Sequence, residues 1–320
     1  MVSRKQHRHR SNLILLVVIA AMFVAVRPVH AQQGTREITS SDFTKNRPAA
    51  TDPSGGSTGA PSGGQTTPAR KPRIYRPVSK VIAGTKAPKP VSPRPAKPKT
   101  VGTDIAQLGV TIWRLRPARS SDGGTRQLLR EKGATSEWIP ERIESETLLR
   151  AGDRVRISIE SPREGYVYVV DRDEFADGTS GAINLIFPLA GEDNHVSAGR
   201  LIDIPGPDSS MKASPAANQS GEVLSIIVTS KPLNLPLTDD VLPISPTQLQ
   251  EWEKVWGGST EIWEMEGGAG EAWTPAEKQA AAKTGTRQLT RDDPPPQTIY
   301  RVSTTDNKAM LVNVRLRYAK

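Results

Sequence analysis

Beyond about residue 101, the sequence is a succession of short apolar segments separated by clusters of glycine, proline and aspartate. Residues 154–160 alternate strictly, so their apolar side chains fall on one face of an extended chain and their polar ones on the other. The segments 166–170, 183–187 and 223–228 are more continuously apolar, as inner strands are. No crossover-length helix is predicted between these three strands. The pattern therefore predicts a mainly β protein, an immunoglobulin-like antiparallel β-sandwich.

Helical spacing of apolar residues appears only at the margins of this pattern. Residues 246–256 place leucine and tryptophan on one helical face, with Thr247 as the expected N-cap and Gly257 as the stop. A second, alanine-rich segment over residues 275–283 is expected to be an exposed helix. The helices of this fold should be short and peripheral.

The first 31 residues have the organisation of a secretory signal peptide. Four basic residues precede a 14-residue apolar run over 13–26, and small residues follow as far as Ala31. Such a run spans about 21 Å as a helix, less than the roughly 30 Å of a bilayer core. We therefore expect cleavage after Ala31 and an exported protein that is periplasmic, extracellular or at the cell surface. It would be attached to a membrane only if the leader were retained.

Residues 32–100 are rich in glycine, serine and proline and lack a periodic apolar pattern, which predicts a disordered linker. Its first half is typical of flexible coil, whereas its second half is proline-rich and basic, which favours an extended chain. We call the basic part the arm. It carries ten cations and no carboxylate, at Arg70, Lys71, Arg73, Arg76, Lys80, Lys86, Lys89, Arg94, Lys97 and Lys99.

The formal net charge of +9 comes from the leader and the arm. Residues 101–320 contain 25 basic and 31 acidic residues, so the region expected to fold has a net charge of −6. The arm could serve as a spacer or as an electrostatic anchor to anionic wall or lipid polymer. No nucleic-acid partner is expected, because the basic residues accompany no nucleic-acid-binding motif and the protein is exported.

One block within the folded region resembles a known bacterial family, domain of unknown function 4384. The residues that carry the resemblance are Gly152–Val155, Gly165–Val170, Gly178, Leu185–Pro188, Asn194, Gly199, Ile204–Pro205, Gly221–Glu222 and Val228–Pro232. The similarity spans about 148–232. It implies a compact β domain of exported or surface-associated bacterial proteins and implies no chemistry. On this basis 101–320 is one domain, with a core over 148–232, an irregular insertion over 233–297 and C-terminal strands over 298–319.

The sequence contains few of the side chains that enzymes use most often as nucleophiles, bases or zinc ligands. There is no cysteine, and His195 is the one histidine outside the leader, which excludes His/Cys zinc sites and cysteine nucleophiles. No cofactor is expected. Asp171, Asp173 and Asp177 form a candidate metal site, because carboxylates suit Ca²⁺. The candidate is weak, because the segment lacks the ligand positions of an EF-hand loop whether the loop is counted from Asp171 or from Asp173. An acidic hairpin tip is the simpler interpretation of this segment.

Aromatic residues provide the candidate ligand contacts. Tyr166 and Tyr168 share one face of a strand, either as part of the core or as a ligand platform. Four tryptophans lie within residues 252–273 among glutamates and glycines. The first two should pack the helix against the sandwich, while Trp263 and Trp273 could form a surface that binds sugar or a partner.

Two functional hypotheses follow from these features. The first is an exported, non-enzymatic binding module of the bacterial cell envelope, with an envelope protein or anionic polymer as its partner. The second is a polysaccharide-modifying or hydrolytic enzyme that uses carboxylates such as Asp171, Asp173 or Asp177 as acid and base. The lack of a catalytic motif in the structural context that it requires favours the first hypothesis.

Overall fold

The computed structural model describes residues 38–50, 73–78, 104–122, 125–131, 134–206, 209–281, 287–304 and 309–320. In chain order its strands are β1 (Ile38–Thr39), β2 (Ile74–Pro77), β3 (Asp104–Pro117), β4 (Gln127–Glu131), β5 (Ala134–Ile143), β6 (Leu148–Leu149), β7 (Arg154–Glu160), β8 (Gly165–Phe175), β9 (Ser180–Phe187), β10 (His195–Val196), β11 (Leu201–Ile204), β12 (Met211–Lys212), β13 (Gln219–Thr229), β14 (Leu242–Pro243), β15 (Thr260–Met265), β16 (Thr298–Thr304) and β17 (Ala309–Tyr318). The described helices are α1 (Ser40–Thr44), α2 (Pro246–Trp256) and α3 (Pro275–Ala281). Among these residues, no helix has the length and apolar character needed to cross a membrane.

The first sheet is organised around the long strand β3. One edge of β3 pairs with β16 through its first half and with β5 through its second half, while the opposite edge pairs with β7. Strands β15, β2 and β1 extend the sheet beyond β16, β4 extends it beyond β5, and β11 and β12 pair with β7. All of these pairings are antiparallel.

The second sheet has the order β14-β9-β8-β13-β17-β6, and β10 also pairs with β8. Its centre is the antiparallel set β8, β13 and β17, in which each strand has ten or eleven residues. One pairing is parallel, between β17 and the two-residue strand β6. The prediction of an antiparallel β-sandwich with short peripheral helices is confirmed.

The main core lies between the two sheets and follows the two-residue period of the strands. On β8, Val167 and Val169 face this core, whereas Tyr168 and Val170 face away and pack under α2. Helix α2 covers the outer face of the second sheet, and α3 covers part of the outer face of the first. Strand β8 is therefore buried on both faces along its apolar part, residues 167–170.

Three expectations about the elements require correction. Residues 38–50 and 73–78 are strands and a helix packed on the first sheet, so residues 32–100 are not linker throughout. Residues 233–297 are not an irregular insertion, because β15 forms part of the first sheet and α2 and α3 cover the outer faces. Helix α3 is not exposed, because its alanines are buried against Trp113 and Trp273.

Helix α2 has the predicted bounds but a different N-cap. The Ser245 hydroxyl accepts a hydrogen bond from the Gln248 backbone N–H at 3.1 Å, and Gly257 ends the helix as expected. The leader, residues 1–31, and the rest of the predicted linker lie outside the described residues.

Candidate functional site

The apolar rows on the inner face of the second sheet end in polar side chains at one end of the sandwich. On β8, the row of Val167 and Val169 continues with Asp171 and then Asp173. On β13, which pairs Leu224 with Asp171, the inner row ends in Glu222. On β17, which pairs Leu316 with Glu222, it ends in Tyr318. Strand register therefore brings three carboxyl groups and one phenol together where the two sheets part.

A pocket of about 320 Å³ opens at this end of the sandwich. Both sheets and the loops between their strands contribute to its wall. It is lined by Val155, Asp171, Ile186, Phe187, Leu189, Glu192, Ile204, Pro205, Gly206, Met211, Lys212, Ala213, Glu222 and Tyr318. The lining is thus mainly apolar, with three carboxylates and one ammonium group. We refer to it as the end pocket.

Asp171 is the most perturbed of these groups. Its Oδ1 atom is buried and accepts no hydrogen bond from any residue that the structure describes. Burial, reinforced by the negative charges of Glu222 and Asp173, raises the pKa of Asp171 to about 7. The side chain is therefore close to half ionised at neutral pH, with one oxygen unpaired.

Glu222 and Tyr318 form a hydrogen-bonded pair beside Asp171. The Tyr318 hydroxyl donates to Glu222 Oε1. Burial raises the pKa of Glu222 even though this hydrogen bond favours the carboxylate, and Asp173 raises it further. Burial and the Glu222 carboxylate likewise raise the pKa of Tyr318 above its ordinary value, so the phenol remains the proton donor.

The remaining polar groups at this end are hydrogen-bonded within the protein or exposed to solvent. The Gln219 side-chain amide donates to Asp173 Oδ1 at 2.8 Å. Glu192 Oε2 accepts from the Leu189 backbone N–H at 3.0 Å. Lys212 is exposed on the short strand β12. Asp171 is therefore the half-buried carboxylate of the pocket that keeps an unused acceptor atom.

The two tyrosines predicted as a ligand platform lie on the outer face of the second sheet, away from the end pocket. Tyr168 is buried, and its hydroxyl accepts a hydrogen bond from the Leu233 backbone N–H at 2.7 Å. Tyr166 is half-buried and meets the His195 ring edge-on, with 5.3 Å between the ring centroids. Tyr168 is thus part of the core, and the two residues present no continuous aromatic face.

The predicted tryptophan surface is wrong. Trp263 is 8% exposed and packs with Phe43, Tyr75 and Met265. Trp273 is 2% exposed, lies 6.2 Å from the Trp113 ring, and has the Arg156 guanidinium 5.0 Å from its ring centroid. Both residues lie outside the segments that the sequence places in the core, which favours a surface position for them. They are buried because β15 and α3 are structural parts of the first sheet and its cover.

The predicted metal site is also wrong. Asp171 and Asp173 share the inner face of β8, whereas Asp177 lies exposed in the turn after it. Asp177 Oδ1 accepts hydrogen bonds from the Thr179 backbone N–H at 2.9 Å and from its hydroxyl at 2.7 Å, which makes it a turn residue. The part of the chain that the structure describes contains no group of three acidic or histidine side chains that could hold a metal ion.

Two of the ten arm cations lie in the described residues, and both are paired with the domain. Arg73 contacts Glu271 at 2.5 Å, and Arg76 forms an ion pair with Glu266. The Arg73 pair therefore helps to hold the segment of β2 against the domain, whereas the Arg76 side chain remains largely exposed to solvent. The other eight, Arg70, Lys71, Lys80, Lys86, Lys89, Arg94, Lys97 and Lys99, lie outside the described residues.

The strand faces of two residues of the end pocket, Glu222 and Tyr318, follow from the periodicity of the sequence. Glu222 stands at the same two-residue period as Leu224, Ile226 and Val228, so alternation places it on the same face as these apolar residues. Tyr318 follows the same rule at the end of β17. The meeting of these residues with Asp171 depends on the strand order, which periodicity does not provide.

Comparison with known families adds one finding. Residues 148–232 match the family model of domain of unknown function 4384 (DUF4384). The resemblance stated from the sequence is confirmed over the same residues, a little over a quarter of the chain. Asp171 and Glu222 lie inside the DUF4384 segment, and Tyr318 lies outside it. No curated protein and no solved structure matches the chain significantly.

Proposed function

We propose that this protein is an exported, non-enzymatic binding module of the bacterial cell envelope whose ligand site is the end pocket. One observation carries the proposal: the half-buried carboxyl groups of Asp171 and Glu222 line a mainly apolar pocket, and the enclosed Oδ1 atom of Asp171 has no hydrogen-bond partner among the described residues. An unmatched buried acceptor lowers stability. A ligand that supplies a donor or a positive charge would remove that cost on binding.

The surroundings of Asp171 support a binding role over a purely structural one. Buried carboxylates elsewhere in the described residues pair with a buried arginine, as Glu160 does with Arg47 and Glu277 with Arg142. No arginine of the described residues pairs with Asp171. A small, mainly apolar pocket with a few convergent polar groups is the usual form of a ligand site.

The arm and the leader complete the proposal. Export by the leader places the domain in the envelope, and the arm acts as a spacer or as an anchor to anionic polymer. Because Arg73 and Arg76 are paired with Glu271 and Glu266, anchoring would fall mainly to the other cations of the arm. Lysines near an anionic surface contribute about 1 kcal/mol each.

The proposal is tested by affinity capture from envelope extract with immobilised full-length protein without its leader. We expect a ligand that is retained by the wild type and lost both from Asp171→Asn, which removes the charge, and from Met211→Trp, which fills the pocket. Asp177→Asn is the matched control, because Asp177 is an exposed carboxylate on the same hairpin. Equal retention by all four proteins would exclude the end pocket as the site.

The raised pKa of Asp171 also favours a second candidate, a polysaccharide-modifying or hydrolytic enzyme with Asp171 as the general acid. A turnover of envelope polysaccharides that is lost in Asp171→Asn but kept in Asp177→Asn would favour catalysis. Substrate binding without turnover by the wild type would favour the binding module.

A further inference from the structure

We infer that the ligand of the end pocket is an organic ammonium ion with a short apolar chain. This inference rests on the proposed function and narrows it to a chemical class. It is built on three properties of the pocket: its unmatched acceptor, its charge and its walls.

The unmatched acceptor calls for a ligand that donates hydrogen bonds. Asp171 Oδ1 is enclosed by the protein and accepts none from the described residues, so a ligand would meet this half-buried carboxyl group from the pocket side. Glu222 lies on the same face with one oxygen occupied by the Tyr318 hydroxyl. An ammonium group presents N–H donors in several directions and can be satisfied by two or three acceptors. Ca²⁺ requires six to eight oxygen ligands, and the described residues offer no cluster of that kind.

The charge of the pocket selects a cation over an anion or a neutral ligand. Asp171, Glu192 and Glu222 line it together with Lys212, and Asp173 adds its charge from the same strand. Lys212 is exposed, whereas Asp171 and Glu222 are half-buried. An anionic ligand would meet these two carboxylates at close range, and a neutral one would leave their repulsion in place.

The walls of the pocket select an apolar chain next to the charged group. The pocket is lined by the apolar side chains of Ile186, Phe187, Leu189 and Met211 together with the carboxylates. Burial of each methylene group contributes about 0.8 kcal/mol. The volume of about 320 Å³ lies at the small end of ligand pockets, which suits a single short chain.

The test is calorimetric titration of the full-length protein without its leader at pH 8, with n-butylammonium as the probe. Butanol, butyrate and CaCl₂ are the matched comparisons. We expect butylammonium to bind at least tenfold more tightly than any of them, and Asp171→Asn to weaken it at least tenfold. Glu222→Gln should also weaken it, whereas Asp177→Asn should leave the affinity unchanged.

The pH dependence provides a second readout of the same contact. Alkylammonium ions stay protonated to about pH 10, whereas the free Asp171 carboxyl has a pKa of about 7. Affinity should therefore fall about 30-fold from pH 8 to pH 5.5 in the wild type. It should fall much less over that range in Asp171→Asn, in which Glu222 is the remaining pocket carboxyl with a raised pKa.

Each other outcome overturns the ammonium assignment. Tighter binding of butyrate, butanol or Ca²⁺ than of butylammonium would show another ligand class. Equal affinity of the wild type and Asp171→Asn for butylammonium would also contradict the assignment. Failure of every probe would also exclude the assignment. The proposed function would still stand if envelope capture depended on Asp171 and Met211, and it would fail with the assignment if capture did not.

Discussion

At the scale of single residues, the chemistry of Asp171 differs from what its strand position requires. Its place in the inner row of β8 would suit an apolar residue like Val167 and Val169. The pKa of its carboxyl rises from the ordinary 3.8 to about 7, so the folded protein binds a proton that the unfolded chain releases. The stabilisation that Asp171 provides is therefore present below about pH 4 and is lost as the pH rises to about 7.

Asp171→Asn should consequently stabilise the protein at pH 8. The amide keeps the shape of the side chain and removes the buried charge. The shift in pKa sets an upper limit of about 4 kcal/mol on the gain, and solvent at the half-buried side chain reduces it. Urea unfolding of both proteins at pH 8 and pH 4 measures the effect, which should shrink at the lower pH. An equal or lower unfolding free energy for the variant at pH 8 would contradict the assignment of a strained carboxylate.

The sequence allowed the face of this residue to be predicted, but not its surroundings. Two-residue periodicity places Asp171 on the face of Val167 and Val169 and Glu222 on the face of Leu224, yet an acidic hairpin tip is the simpler interpretation of 171–177. That interpretation applies to Asp177, which does lie in the turn. It fails for Asp171 because β8 continues to Phe175, well beyond its apolar part.

At the scale of elements, the segment over residues 38–50 shows how a short polar stretch can become part of a sheet. Its composition predicts linker, and α1 has only five residues. Arg47 fixes it in place: its side chain is 1% exposed and makes two hydrogen bonds of 2.6 Å to Glu160 on β7. The guanidinium also donates to the backbone carbonyls of Thr290, Asp293 and Pro294, at 3.0 to 3.2 Å. A single buried arginine thus joins three parts of the chain that are distant in sequence.

Arg47→Met should destabilise the protein by about 3–5 kcal/mol, because it leaves the Glu160 carboxylate buried without a partner. The double variant Arg47→Met/Glu160→Leu should recover much of this loss, since no buried charge then remains. Arg76→Ala is the matched control: its ion pair with Glu266 is largely exposed, and such pairs contribute about 0–1 kcal/mol. Urea unfolding of the four proteins measures these differences. A loss below 1 kcal/mol for Arg47→Met would mean that the segment does not depend on this contact.

Apolar periodicity identified the strands with continuous apolar character, and it missed elements held by polar contacts. Residues 154–160, 166–170 and 223–228 all lie in strands, as predicted. Strand β15 was missed because its sequence, Thr-Glu-Ile-Trp-Glu-Met, carries two glutamates. One of them, Glu264, accepts hydrogen bonds from Ser145, Gln297 and Thr298, contacts that depend on tertiary structure.

At the scale of the whole molecule, the DUF4384 segment is part of a larger sandwich. It supplies β6 to β13, which are divided between both sheets. Strand β7 needs β3 as its neighbour, and β13 needs β17, and both of these neighbours lie outside residues 148–232. The end pocket shows the same dependence, because Tyr318 of β17 holds Glu222.

Residues 148–232 should therefore fail to fold when they are expressed alone, although a family model delimits them. Without β3 and β17, the segment exposes the long edges of β7 and β13 and loses the apolar row from Met310 to Leu316. Residues 37–320 keep every described strand and should unfold in one cooperative urea transition. Circular dichroism and urea titration of both fragments distinguish the cases. A cooperative transition of 148–232 alone would show that the segment is autonomous and that the outer strands are additions to a complete domain.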